Sequence, residues 1–231
     1  DVHEVINRFI PGPTADLPIR IYRPDNSSES KTIVYFHGGG WVINFLDIYD
    51  ASLTRLANQS GATIISVNYQ KAPEHPFPIP FDDCYATLLW VIENARNLNI
   101  DPATIGVAGD SAGANLASAV AIKARDNQIP LAFQLLIYPC NDRDFTTDSY
   151  LNCATGYGLS TQAMQWFWDQ YLQGNHHDDN PYAVPMKAKT FKDIAPAIII
   201  TAQYDPLLSD SQKYGELLER DGVSVTYKEY A

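Results

Sequence analysis

Residues 105–113 read Ile105-Gly106-Val107-Ala108-Gly109-Asp110-Ser111-Ala112-Gly113, and a helix-compatible stretch, Ala114 to Ala124, follows at once. An apolar run, a tight glycine-flanked turn and a helix make a strand–turn–helix unit with Ser111 at its apex. A serine hydroxyl is a poor nucleophile, so using one takes exposure, a base and an anion-binding site. A strained turn supplies the exposure. Glycines two residues to either side let strand and helix approach without side-chain clashes. The five residues Gly109 to Gly113 are a weak signal by themselves, because Gly, Ser and Ala are common. Their strand-to-helix context and a second motif upstream sharpen it.

In that upstream motif, the strand predicted over Thr32–His37 runs into Gly38-Gly39-Gly40-Trp41. Three consecutive glycines after a buried strand are costly in chain entropy, so something should require their backbone freedom. Attack on an ester carbonyl generates an oxyanion, which needs N–H donors aimed at it. Gly38 and Gly39 are the expected donors. The Ala112 N–H, at the start of the helix after the serine, is the third and adds the helix dipole. A phosphate-cradling loop would need Gly-Lys-Ser/Thr, which is missing. A plain turn is the remaining alternative, and the pairing with Gly109–Gly113 favours the oxyanion reading. His37 precedes the serine, which is the wrong chain order for its base in this arrangement. Its expected task, shared with Gly40, is to support the loop by hydrogen-bonding backbone.

The third piece is Tyr204-Asp205-Pro206-Leu207, just after the predicted strand Ala197–Ala202. Asp205 has two readings: an acid that orients an imidazole, or an N-cap with Pro at N1 of the helix near Leu207. Its place after a late strand favours the acid. The base is missing, because all five histidines (His3, His37, His75, His176 and His177) precede Asp205. His176-His177-Asp178-Asp179 has the look of a metal cluster. Adjacent side chains in a polar loop rarely converge on one ion, so a solvated loop is the expectation.

Around these motifs, apolar β-rich runs alternate with helical patterns. Strands are predicted at Ile19–Tyr22, Thr32–His37, Thr63–Asn68, Ile105–Gly109, Phe133–Tyr138, Ala197–Ala202 and Ser224–Glu229. Helices are predicted near Ile48–Gln59, Asp83–Leu98, Ala112–Arg125 and Leu207–Asp221. Continuously apolar runs such as Ile198-Ile199-Ile200 suit strands covered on both faces. The fold class expected is α/β: a mostly parallel sheet with helices on both sides. Residues from about 141 to 192 break the rhythm, with an aromatic-rich helical stretch at Thr161–Leu172. One more packed helix is one reading; the other, favoured here, is an insertion folded over the sheet's C-terminal edge, where open α/β sheets bind ligands.

Composition narrows the partners. A net charge of −11 disfavours nucleic acid and anionic membrane, both of which need a basic surface. No run of about 18 apolar residues is present to span a bilayer. Cys84, Cys140 and Cys153 are widely spaced and odd in number, as expected of free buried thiols in a reducing compartment such as the cytoplasm. Nothing in the sequence specifies an oligomeric state.

The combination His37–Trp41, Gly109–Gly113 and Asp205-Pro206-Leu207 resembles the hormone-sensitive-lipase-like esterases of the α/β-hydrolase superfamily. So do Ala72-Pro73-Glu74-His75-Pro76-Phe77-Pro78, leading into Asp82-Asp83-Cys84-Tyr85, and the extension Ala114-Asn115-Leu116-Ala117. The resemblance runs from about Pro11 to Ala231. It implies an α/β-hydrolase fold with a partial helical cap, and a carboxylester hydrolase for small to medium acyl esters. Ser111 would be nucleophile, Asp205 acid, and Gly38, Gly39 and Ala112 the oxyanion hole, with no metal or organic cofactor. Members of the family carry a capping segment before the first strand and the histidine in the loop after the last. Both would lie outside residues 1–231, so the chain, a single domain, is expected to be truncated at both ends.

A second class of function fits the same motifs: a small-molecule receptor built on this fold but without a working base, as the gibberellin receptors are. The intact serine turn, glycine loop and acid favour the enzyme. Trp41 and Tyr204, with Phe45, Tyr157, Trp166 and Phe167, are candidates to line an apolar acyl or alcohol pocket; core packing is the alternative for each.

Overall fold

The apolar runs that end in the two glycine motifs become neighbouring central strands. The structure, a computed structural model, describes residues 2–24, 31–174 and 177–231. Strands β3 (Thr32–Phe36) and β5 (Ile105–Asp110) pair in parallel, with Phe36 beside Gly109, and every residue of both is buried. Strand β4 (Thr63–Val67) lies on the other side of β3. Beyond β5, β6 (Gln134–Ile137), β7 (Ala197–Ala202) and β8 (Val225–Tyr230) continue in parallel. An antiparallel hairpin of β1 (Glu4–Pro11) and β2 (Asp16–Arg23) completes the order β1-β2-β4-β3-β5-β6-β7-β8. From β3 the chain goes first to one side and then to the other. The carboxyl ends of β3 and β5 therefore flank the crevice where such sheets bind ligands.

Alternate residues of each strand feed two cores. Val34, Phe36, Ile65, Val107, Leu136 and Ile199 meet helices α2 (Ile79–Glu93), α4 (Ala112–Asp126) and α7 (Leu208–Arg220). Ile33, Tyr35, Ile64 and Ala108 meet α1 (Asp50–Ser60) on the opposite face. In α4, 12 of 15 residues are buried, and most are Ala, Gly or Ser. Small side chains let this helix lie close on the sheet behind Ser111. Between β6 and β7 come α5 (Asp148–Asn152) and α6 (Thr161–Leu172), the latter capped by the Ser160 hydroxyl. A four-residue helix, α3 (Ala95–Leu98), follows α2. Among the described residues, no helix is long and apolar enough to cross a membrane. The three cysteines are free and buried.

Three expectations about elements change. Strand β1 went unread because it is an edge strand: charged and polar residues interrupt it and only Ile10 is buried. The helix expected from Asp83 starts at Ile79 with proline in its first turn, where a missing N–H costs nothing, and ends at Glu93. The helix expected near Ile48 is 3₁₀ over Leu46–Tyr49 and α-helical only from Asp50.

The crossing of strand and helix at the serine turn is tight. A Cβ on Gly113 would run into the carbonyl oxygens of Phe36 and His37, and one on Gly109 into the Gly113 carbonyl. Backbone atoms have no rotamer in which to escape. Gly113→Ala is expected to lower unfolding free energy by more than about 4 kcal/mol, as read by urea denaturation.

Candidate active site

Ser111 leaves β5 with φ 54° and ψ −122°, a conformation that a residue with a Cβ adopts only under constraint. Here the constraint comes from both sides. The Ser111 N–H continues the sheet ladder by donating to the Ile137 carbonyl at 2.8 Å, and the Ser111 carbonyl accepts the Asn115 N–H at 3.0 Å in the first turn of α4. The side chain is half-buried, and its hydroxyl has no hydrogen-bond partner among the described residues. The Ala112 N–H opens α4, so no helix carbonyl precedes it, and the helix's positive end lies there.

Asp110, one residue earlier, is the functional side chain that sequence reading passed over. Its buried carboxylate accepts from Tyr35 Oη at 2.8 Å and Tyr49 Oη at 2.9 Å. It also accepts the Gly38 N–H at 3.0 Å, so the serine turn and the glycine loop are bound through one residue. Burial raises the carboxyl's pKa, and the three donors oppose that shift by favouring the charged form. The signal in the sequence was an acidic residue at the end of an otherwise apolar strand.

This contact corrects the expected donor set. The Gly38 N–H is spent on Asp110 and on Tyr49 Oη at 2.9 Å, so it points into the loop's own anchor. Gly39 and Gly40 follow with φ 118° and 57°, and among the described residues their N–H groups have no acceptor. The unspent donors beside Ser111 are therefore Gly39, Gly40 and Ala112. Gly40 has a second reason to be glycine, because a Cβ there would strike the ring of Phe167 on α6.

His37 is wholly buried, stacked on Tyr69 at 4.4 Å between ring centroids. Its Nδ1 lies 2.8 Å from the Gly38 carbonyl, an acceptor that requires the Nδ1–H form. Burial pushes its pKa down to about 4, so it stays neutral. Trp41 is also completely buried, stacked on Tyr171 at 4.4 Å and against Trp168 of α6. That ring is core, and it lines no open pocket: an aromatic beside a glycine loop reads equally as either until its neighbours are known.

Asp205 follows β7, two strands from Ser111, which is about 10 Å of sheet. One carboxylate oxygen accepts the Leu207 N–H at 2.8 Å, and burial raises its pKa. The N-cap reading changes: α7 begins at Leu208 with Leu207 as its N-cap, so Asp205 and Pro206 precede the helix, and the Asp205 carboxylate closes the turn before it at the sheet's C-terminal edge. Tyr204 beside it is exposed and stacks on Tyr157 at 5.4 Å with rings nearly parallel. Tyr138 follows the intervening strand with φ 40°, and burial, with the nearby Asp110 and Asp205 carboxylates, pushes its pKa to about 12.

His75 is half-buried in the Pro-rich segment, and His177 packs edge-on against Phe77. His176 lies outside the described residues. Among those described, no three His, Cys, Asp or Glu side chains gather as a metal site.

The buried neutral imidazole has a thermodynamic consequence. With a folded pKa near 4 and an unfolded value of 6.5, the unfolded chain binds the proton first as pH falls. His37 therefore contributes stability above pH 6.5 that is lost between 6.5 and about 4, roughly 3 kcal/mol in all. Urea titrations are expected to show wild type losing that much more than His37→Gln over this window. Parallel profiles would place the imidazole in water.

Known proteins similar to this chain share a family. The model of the alpha/beta hydrolase fold family matches residues 33–231. The chain is 38% identical over 227 residues to Esterase LipI of Mycobacterium tuberculosis, covering 96% of this chain and 71% of that protein. It is 40% identical over 215 residues to Carboxylesterase NlhH of the same organism, covering 91% and 67%. The hyperthermophilic esterase of the archaeon Pyrobaculum calidifontis superposes with a TM-score of 0.95 at 38% identity, over all of this chain and 74% of that one. Eight strands in mostly parallel order, a serine turn after β5 and these relatives agree: the chain belongs to the α/β-hydrolase superfamily, among the hormone-sensitive-lipase-like esterases, and is a hydrolase.

Proposed function

We propose that the protein hydrolyses carboxylic esters of small to medium acyl chains with Ser111 as nucleophile. The observation that carries this reading is the pairing of a strained, unpartnered serine with three unspent backbone N–H groups in the crevice between β3 and β5. Ser111 Oγ attacks the acyl carbonyl, and the negative charge on the carbonyl oxygen is met by Gly39, Gly40 and Ala112. Collapse of that intermediate expels the alcohol and leaves an acyl-serine, which water then hydrolyses to the acid.

The proton of Ser111 passes to a histidine, which we assign to the loop that follows β8. Strands β7 and β8 run parallel to β5, so their ends reach the same edge of the sheet. Asp205 would orient the imidazole and stabilise its charged form. Residues of about 141 to 192 act as a partial cap, with Phe167 on the glycine loop. Tyr204 and Tyr157, stacked and exposed, supply an apolar wall for the acyl or alcohol group.

The test is p-nitrophenyl butyrate hydrolysis by the full natural chain. Ser111→Ala is expected to lower kcat/KM by at least about 10⁴-fold, and Asp205→Asn by about 10³–10⁴-fold. Activity retained in Ser111→Ala sinks the mechanism. A folded wild type that is inert toward esters yet binds an ester analogue would favour the receptor function instead.

A further inference from the structure

The three N–H donors share a constructional feature. In a trans peptide, one residue's C=O and the next residue's N–H point in opposite directions, so a bond that holds the carbonyl aims the N–H. The Ser111–Ala112 plane is held by Asn115 N–H donating to the Ser111 carbonyl at 3.0 Å. The Gly39–Gly40 plane is held by Val42 and Ile43, whose N–H groups donate to the Gly39 carbonyl at 3.0 and 2.9 Å. In both cases the holding donors are backbone.

The Gly38–Gly39 plane is different. Its carbonyl accepts from two side chains, His37 Nδ1 at 2.8 Å and Asn44 Nδ2 at 3.2 Å. The N–H on the far side of that plane is the one on Gly39. We propose that Asn44 is a positioning residue for ester hydrolysis, orienting and polarising the Gly39 N–H toward the forming oxyanion; this rests on the esterase reading above.

Several observations fit asparagine to this task. The acceptor is a carbonyl, so only the amide nitrogen can face it. Asn44 has φ 76°, a left-handed conformation that asparagine tolerates better than most residues with a side chain. A Cβ on Gly39 would meet Asn44 Nδ2 at 2.9 Å, so the amide lies directly against the donor's own residue. A hydrogen bond to a carbonyl enlarges the dipole of its peptide, which strengthens the N–H at the other end. Asn44 is half-buried on a loop, whereas His37 is locked in the core, so Asn44 can be changed without disturbing the Tyr69 stack.

The experiment compares wild type, Asn44→Asp and Asn44→Gly in the full natural chain. It measures kcat and KM for p-nitrophenyl butyrate and the inhibition constant of a trifluoromethyl ketone of matched length. The ketone forms a tetrahedral adduct with serine and presents an oxyanion, so it reports the donors directly. Asn44→Asp sets a carboxylate against the Gly38 carbonyl and turns the plane. It is expected to lower kcat about 30-fold with KM within about twofold, and to weaken the ketone by a factor similar to that in kcat. Asn44→Gly keeps the backbone conformation, removes the donor without adding charge, and is expected to lower kcat about fivefold. Unchanged kcat in both variants overturns the proposal. So does a fall in kcat with ketone affinity intact, which would make Asn44 a structural residue only. A wild type inert toward esters overturns the function reading and this inference together; an active wild type with unaffected variants overturns the inference alone.

Discussion

One carboxylate holds the two halves of the site together. Asp110 belongs to the serine turn by sequence, and its side chain binds the glycine loop that follows a different strand. Tyr35 reaches it from β3, and Tyr49 from the 3₁₀ turn before α1. A buried carboxylate without donors would cost several kcal/mol, so the three that surround Asp110 are a condition for its being there. The same condition fixes the loop. Gly38 must turn its N–H to Asp110, and among the described residues the Gly39 and Gly40 N–H groups that follow have no acceptor.

The rest of the site follows from that geometry by peptide planarity. Each unspent N–H belongs to a plane whose carbonyl is already held, so in the proposed reaction the donors would be fixed before the ester arrives. Preorganised donors need no reorientation when charge develops, which is the main electrostatic advantage of a folded site over water. The strain at Ser111 belongs to the same economy of design. Close strand–helix crossing, made possible by Gly109 and Gly113, holds the serine at φ 54° and presents its hydroxyl at the crevice.

Much of this was legible in the sequence for physical reasons. Strands β3 and β5 are buried along their whole length and read as unbroken apolar runs, and their glycine-rich ends mark the two loops; β7 is as apolar in sequence, yet it is covered on one face only, with Ile198 exposed on the other. Edge strand β1, buried only at Ile10, carries no such pattern. Chain order and motif nominate Ser111, Gly39, Ala112 and Asp205 for the proposed reaction. The choice of Gly40 over Gly38 as an unspent donor was not legible, because the direction of an N–H depends on a partner 72 residues away. Trp41 failed for the same reason: its place in the core is decided by Tyr171 and Trp168, which lie on a helix far along the chain. Local pattern names the residues that can do chemistry; tertiary partners decide which of their atoms remain free for it.

The measurement that bears most directly on this account is the rate at which a fluorophosphonate labels Ser111, followed by intact mass, in wild type and in Asp110→Asn. Circular dichroism would confirm that both are folded. If the carboxylate holds the donors over the serine, labelling slows by about 100-fold in the variant, the scale of one lost oxyanion donor. Equal labelling rates in two folded proteins would contradict it, and the glycine loop would then owe its position to something other than Asp110.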